Sequence, residues 1–128
     1  MGIIATHERE INIYYNSNSS FSEQALAILN ATEYKIQTVD LSKDKVTPTQ
    51  WVDIANRIKT PIKELVNTKH PNFIQEYGKD VTIESDEDWL KILTRNPKIL
   101  KGPILLQGER AIQIKALGDL FVFLDKEN

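Results

Sequence analysis

The segment that decides the fold runs from residue 10 to residue 39 and has the sequence EINIYYNSNSSFSEQALAILNATEYKIQTV. Its first six residues are rich in strand-forming types with apolar and polar side chains interleaved, which predicts a β-strand over Glu10–Tyr15. The polar run 16–20 is typical of a turn. Residues 34–39 alternate again, so the segment predicts a strand–helix–strand unit with a right-handed parallel crossover. The helix between the strands is indicated by apolar residues at helical spacing, namely Phe21, Ala25, Ile28 and Leu29.

The start of this helix carries a capping pattern. The stretch from Ser20 to Glu23 matches a capping box, with Ser20 as the N-cap residue. We expect the Glu23 carboxylate to fold back on the Ser20 amide and to interact with the helix dipole, a local effect of about 0.3–1 kcal/mol. The same negative charge would repel an oxyanion that approached the start of the helix.

Residues 47–97 predict a series of helices. Thr47, Pro48 and Gln50 form a second capping box, with proline at the first helical position. Shorter helices are predicted after residues 60 and 70, and another between residues 85 and 96. We therefore expect one domain over residues 1–128, with a helical insertion at about 47–97.

The last part of the chain predicts a hairpin followed by a helix. Residues 103–106 are wholly apolar, as is typical of a strand at the centre of a sheet. Residues 107–110 predict a turn and residues 111–114 the returning strand. The order β-α-β, helical insertion, β-β-α predicts an α/β fold with a mixed four-stranded sheet. The apolar stripe of the last helix consists of Leu117, Leu120, Phe121 and Leu124.

The composition excludes several kinds of chemistry. The 128 residues include no cysteine, so this chain has no disulfide, no thiolate nucleophile and no cysteine-ligated zinc. Only His7 and His70 could supply imidazole ligands, and we predict neither a metal site nor a cofactor. The net charge of −2, from 16 basic and 18 acidic residues, disfavours general nucleic-acid binding.

The hydropathy pattern and the first residues bear on localisation. Residues 1–9 show no basic region followed by a long apolar run, so we expect no signal peptide. No apolar stretch approaches the ~20 residues of a membrane span. Met1-Gly2 with Thr6 fits a loose myristoylation pattern, but the bulky Ile3 favours a chance match. Together with the lack of disulfides, these features predict a cytoplasmic protein that does not bind membranes.

Charged and imidazole side chains outside the fold-deciding segment favour structural roles. His70, which precedes Pro71, is interpreted as a helix-start residue. A group of basic residues follows the acidic start of the helix predicted at 85–96, which favours a solvated helix end over a contact with nucleic acid or an acidic partner. This group comprises Lys91, Arg95, Lys98 and Lys101.

Four motifs resemble one known family. Residues 13–26, IYYNSNSSFSEQAL, are similar to the start of the ArsC/Spx family, which comprises glutaredoxin-coupled arsenate reductases and related transcriptional regulators. Residues 59–65 (KTPIKEL), 96–104 (NPKILKGPI) and 111–115 (AIQIK) resemble later segments of the family in the same order. The resemblance implies a thioredoxin-like fold over nearly the whole chain.

The same resemblance implies the loss of the family's reaction. The nucleophilic cysteine of the family falls on Ser19, and three of its arginines fall on Glu23, Gly102 and Lys115. An arsenate reductase needs a thiolate to attack arsenate and planar cationic donors to hold the oxyanion. A serine hydroxyl cannot exchange with glutathione. The resemblance also implies a cis peptide bond between Gly102 and Pro103, facing the active-site loop.

We therefore predict an arsenate reductase-like thioredoxin-fold protein that lacks the catalytic thiol, is redox-inactive, and binds a protein partner or a small anion such as glutathione. Two alternatives stay open: a Spx-like transcriptional regulator that binds RNA polymerase, and an enzyme that uses glutathione or an oxyanion without a thiol of its own. No catalytic residue is assigned, because Ser19 stands at the family's nucleophile position. The candidate binding residues are Asn16, Ser19, Ser20, Glu23, Arg57, Gly102, Pro103 and Lys115.

Overall fold

The computed structural model describes residues 9–125. The features noted at Met1-Gly2, Thr6 and His7, and the predicted absence of a signal peptide, concern residues outside this range. Within it, no helix has the length and apolar character needed to cross a membrane.

The four strands form one mixed sheet, as predicted, and their order is β2-β1-β3-β4. Strand β1 pairs in parallel with β2 and antiparallel with β3, and β3 pairs antiparallel with β4. The predicted positions are confirmed to within one residue at each end. The strands are β1 Glu10–Tyr15, β2 Lys35–Asp40, β3 Ile104–Gln107 and β4 Arg110–Gln113.

Helices occupy the predicted positions in the predicted order. The Thr47 capping box is confirmed: the Gln50 amide donates to Thr47 Oγ1 at 3.2 Å, and the Thr47 amide donates to Gln50 Oε1 at 2.9 Å. A short 3₁₀ turn, Pro97–Ile99, follows the fifth helix. The helices are α1 Ser20–Asn30, α2 Pro48–Ile58, α3 Ile62–Leu65, α4 Pro71–Tyr77, α5 Asp86–Arg95 and α6 Leu117–Asp125.

The sheet separates two apolar clusters. Strand β3 is buried along its whole length because both of its faces are covered, as the wholly apolar run 103–106 predicts. Leu105 packs on the α1 and α6 side with Leu29 and Leu120, whereas Ile104 and Leu106 pack on the side of the inserted helices. Each such aliphatic side chain, fully buried, contributes about 1.5–3 kcal/mol. The remaining large buried residues on the insertion side include Trp51, Ile54, Leu65, Phe73 and Leu93.

The predicted stripe of α6 needs one correction. Leu120 is buried as expected, but Phe121 is 55% exposed and Phe123 is buried in its place. Residues 120 and 123 lie on one helix face, whereas residue 121 is turned about 100° from residue 120. The guanidinium carbon of Arg110 lies 4.0 Å from the centre of the Phe123 ring, and this contact further fixes which aromatic faces the sheet.

The peptide bond between Gly102 and Pro103 is trans, so the cis bond implied by the family resemblance is wrong for this chain. Trans is the intrinsically favoured form of such a bond by about 0.5–1 kcal/mol. The backbone continues directly into the hairpin, where the Ile114 amide donates to the Pro103 carbonyl at 2.8 Å.

Gly102 is required by this close approach of two backbone segments. A Cβ atom at residue 102 would overlap the carbonyl oxygen of Ile114. We expect Gly102→Ala to lower the free energy of unfolding by about 1–3 kcal/mol, because the two segments must move apart. Gly118→Ala, in α6, is the matched control: a Cβ there meets no atom within 4 Å, and the change should be neutral or stabilising by up to about 1 kcal/mol. Urea unfolding of both variants checks this, and equal stabilities would contradict it.

Candidate functional site

The sheet topology brings the predicted site residues to one edge. Tyr14 pairs with Ile104 across antiparallel strands, so the loop that leaves β1 meets the segment that enters β3. Ile104 also pairs with Gln113, which places the end of β4 at the same edge. A cleft of about 500 Å³ opens there. Its lining includes five of the predicted binding residues: Asn16, Ser19, Gly102, Pro103 and Lys115.

The start of α1 differs from the predicted capping box. Ser19, not Ser20, is the N-cap, with extended backbone angles (φ −97°, ψ 122°). Its Oγ accepts a hydrogen bond from the Ser22 amide at 3.2 Å. Ser20 is already the first helical residue, so the third helical position belongs to Ser22, and Glu23 comes one residue too late to close a box. The side chains of Ser20 and Glu23 are exposed, and neither lines the cleft.

The loop before α1 is held by its neighbours at the same sheet edge. Asn16 Nδ2 donates to the Pro97 carbonyl at 3.2 Å. The Asp40 carboxylate, at the end of β2, accepts from the Ser17 amide at 3.4 Å and from the Ser42 hydroxyl at 2.7 Å. Burial alone would raise the pKa of the Asp40 carboxyl, but hydrogen bonds from Ser42 and Ser17 outweigh it and hold that pKa below its ordinary value of 3.8. The carboxylate therefore stays charged at neutral pH and keeps the loop in place.

The opposite wall of the cleft comes from the helical insertion. Val66 and Leu100 form an isolated antiparallel bridge. The Asn67 amide donates to the Ile99 carbonyl at 2.7 Å, and the Lys101 amide donates to the Leu65 carbonyl at 2.8 Å.

Gln113 strengthens this bridge from the side of β4. Its buried side-chain amide donates to the carbonyls of Leu65 and Gly102, at 3.1 and 3.3 Å. The bridge brings Asn67 and His70 into the cleft, where sequence reasoning had not placed them. No local sequence signal marks this pairing, because its two halves lie more than 30 residues apart.

His70 has both a structural position and a place in the cleft. It is the N-cap of α4, as interpreted from the sequence, and its Nδ1 accepts from the Asn72 amide at 3.1 Å. A neutral ring with Nδ1 as acceptor carries its proton on Nε2, which is then the donor atom of the ring.

The cleft is basic. Lys98, Lys101 and Lys115 line it together with His70, whereas no Asp or Glu between residues 9 and 125 does. The Nζ of Lys101 lies 3.8 Å from the Glu64 carboxylate. In the described part of the chain, the ammonium groups of Lys98 and Lys115 have no ion-pair partner.

Arg57 lies outside the cleft. Its Nε is 3.3 Å from the Asp53 carboxylate, one helical turn earlier in α2, and its guanidinium donates to the Gly108 carbonyl at 3.2 Å. The hydrogen bond to Gly108 joins α2 to the turn between β3 and β4. As for metals, no group of three ligand-type side chains converges anywhere within residues 9–125.

Comparisons with known proteins identify the fold. No family model and no curated protein matches the sequence. An arsenate reductase from Vibrio cholerae aligns with a TM-score of 0.77 and 16% identity, over 88% of this chain and 96% of that one. The fold is that of the arsenate reductases. An ArsC-related protein from Brucella melitensis aligns with a TM-score of 0.66 and 14% identity, over 90% of this chain and 94% of its own. These likenesses confirm the predicted thioredoxin-like α/β fold.

The cap of α1 can be tested directly. Ser19→Ala removes the side-chain acceptor of the Ser22 amide, so we expect the free energy of unfolding to fall by about 1 kcal/mol. Ser20→Ala changes a first-turn residue that caps nothing, and should alter stability by less than about 0.5 kcal/mol. Chemical denaturation of the two variants decides between them, and a larger loss for Ser20→Ala would restore the cap predicted from sequence.

Proposed function

We propose that the protein is a thiol-free member of the arsenate reductase-like (ArsC) group, without redox activity, that binds a small anionic ligand in the cleft. The observation that carries the proposal is the lining of the cleft: three lysines and a histidine, no described acid, and Ser19 at the start of α1. The likeness to solved arsenate reductases supports the assignment to the ArsC-like group. The serine at residue 19, where the family by resemblance has its nucleophilic cysteine, supports the absence of the thiol reaction.

The proposed lack of redox activity follows from the reaction itself. Reduction of arsenate through an enzyme-bound intermediate requires a thiolate on the enzyme, which forms a sulfur–arsenic bond. An external thiol then reduces this intermediate and frees the enzyme. The sequence contains no cysteine. Ser19 Oγ is instead used as the acceptor that caps α1, and a hydroxyl has no anionic form near neutral pH that could replace the thiolate.

The proposed anion binding follows from the charges around the cleft. The first amide groups of a helix have no carbonyl partner within the helix, and the helix dipole is positive at that end. Lys98 and Lys115 add two ammonium groups without ion-pair partners in residues 9–125. A phosphate- or carboxylate-bearing ligand would therefore meet favourable charge from the helix start and from the lysines.

The redox proposal predicts the outcome of a coupled arsenate reduction assay with glutathione and glutaredoxin. The wild-type protein should show no turnover above the blank without protein, whereas a cysteine-containing arsenate reductase run in parallel should be active.

Ser19→Cys and Ser20→Cys form a matched pair: a thiol at residue 19 faces the cleft and the lysines, so at pH 7 it should react with a thiol reagent about tenfold faster than one at residue 20. Wild-type turnover would overturn the proposal.

The binding proposal predicts heat on titration with phosphate or arsenate, measured by calorimetry at low salt. Lys98→Gln and Lys115→Gln should each weaken binding by about five- to tenfold, since each removes roughly 1–1.4 kcal/mol of charge-assisted interaction. Lys79→Gln is the control, because Lys79 is exposed and does not line the cleft. Flat titrations with phosphate, arsenate and glutathione would contradict small-anion binding.

A further inference from the structure

A second cavity lies beside the cleft on the side of the helical insertion. It has a volume of about 460 Å³ and shares Asn67 and Lys101 with the cleft. Its lining adds Lys63 from α3 and Lys69 from the loop before α4. The two cavities therefore adjoin each other, and we call the surface that they form together the basic groove.

The basic groove has the opposite charge to the chain as a whole. The full sequence has 18 acidic and 16 basic residues. The groove, in contrast, is lined by five lysines, and Glu64 is the one acidic residue among the described residues that line either cavity. The five lysines are Lys63, Lys69, Lys98, Lys101 and Lys115.

The tertiary structure creates this concentration of charge. The lysines come from α3, the loop before α4, the 3₁₀ turn, the segment before β3 and the segment after β4. The bridge between Val66 and Leu100 brings the first four of these segments together, and Gln113 ties them to the end of β4. A charged face on one helix is commonly only a solvated surface, but convergence of five segments on one groove indicates a surface that meets a negatively charged partner.

We propose that the basic groove binds an extended, acidic peptide segment of a protein partner, whose carboxylates lie against the lysines. The proposal rests on the proposed function, because the cleft forms one half of the groove. Each half has a volume of several hundred cubic ångströms, so a single phosphate would occupy a small part of the whole. A chain of carboxylate side chains can contact both halves at once.

The lining favours a peptide over a nucleic acid. No described arginine lines either cavity, so the groove lacks the planar guanidinium groups that can stack on nucleic-acid bases. Single-stranded nucleic acids also bind by stacking bases on exposed aromatic rings. The aromatic residues of the lining offer little ring surface: Trp89 is 7% exposed and Phe21 is partly buried. The net charge of −2 also disfavours a polyanion as long as RNA.

The test is fluorescence anisotropy with a labelled peptide of alternating Glu and Ser, about ten residues or roughly 33 Å long when extended. We expect binding that weakens with added salt, and no binding of the same peptide with Gln in place of Glu. The double variant Lys63→Gln/Lys69→Gln changes only the second cavity and should weaken peptide binding at least about tenfold. Lys43→Gln/Lys79→Gln removes the same charge elsewhere, from exposed residues outside the groove, and should change the affinity less than about twofold.

The outcomes separate this proposal from the proposed function. Phosphate binding in the cleft should be unchanged in Lys63→Gln/Lys69→Gln, because neither residue lines the cleft. If phosphate binds but the acidic peptide does not, or if the two double variants weaken the peptide equally, the groove proposal is wrong and small-anion binding stands. If the peptide binds and phosphate does not, the groove proposal is supported and the small-anion proposal fails. A labelled single-stranded RNA of similar length that binds more tightly than the peptide would overturn the choice of partner.

Discussion

The antiparallel bridge between Val66 and Leu100 is the interaction on which the site depends. The sheet alone supplies one wall of the cleft, the start of α1 and the entrance to β3. The bridge adds the other wall, because its hydrogen bonds hold the segment after α3 against the segment before β3. Gln113 then ties both segments to β4 through a buried amide. Loss of a buried amide's partners costs about 1–3 kcal/mol, so the three segments are held as a unit.

The close packing at this point explains why residue 102 has no side chain. The bridge and the hairpin bring the backbone at Gly102 against the Ile114 carbonyl, where a Cβ atom would overlap. By resemblance, the family carries an arginine at this position, which would contribute to oxyanion binding. In this chain the cationic groups that line the cleft with Gly102 are those of Lys98, Lys101 and Lys115. Lysines bind as point charges, so the cleft carries positive charge without the planar donors that suit an oxyanion such as arsenate.

Much of the fold could be predicted from the sequence because its signals are local. Alternation marked β1 and β2, an apolar run marked β3 and the hairpin pattern marked β4, and the box at Thr47 located the start of α2 to the residue. The same rule misplaced the cap of α1, because the neighbouring serines Ser19 and Ser20 could each serve as the N-cap. Only the backbone angles show that Ser19 is the extended residue before the helix. At α6 the residues Leu120 to Phe123 are all apolar, so the buried pair is chosen by contact with the sheet. The cis bond was transferred from the family, and no residue in this chain signalled it.

The candidate site could be predicted only in part, for a related reason. Asn16, Ser19, Pro103 and Lys115 carry a signal in the sequence, because they stand in the motifs that resemble the ArsC/Spx family, and the strand order then brings them to one edge of the sheet. The residues across the bridge do not, since contacts between segments more than 30 residues apart leave no periodicity in the sequence. In the sequence Lys98 and Lys101 look like the solvated end of α5, and Lys63 and Lys69 look like isolated surface charges. These lysines can contribute to binding because the bridge places them around one groove. A single surface charge interacts weakly with a ligand, but several charges that face the same ligand act together.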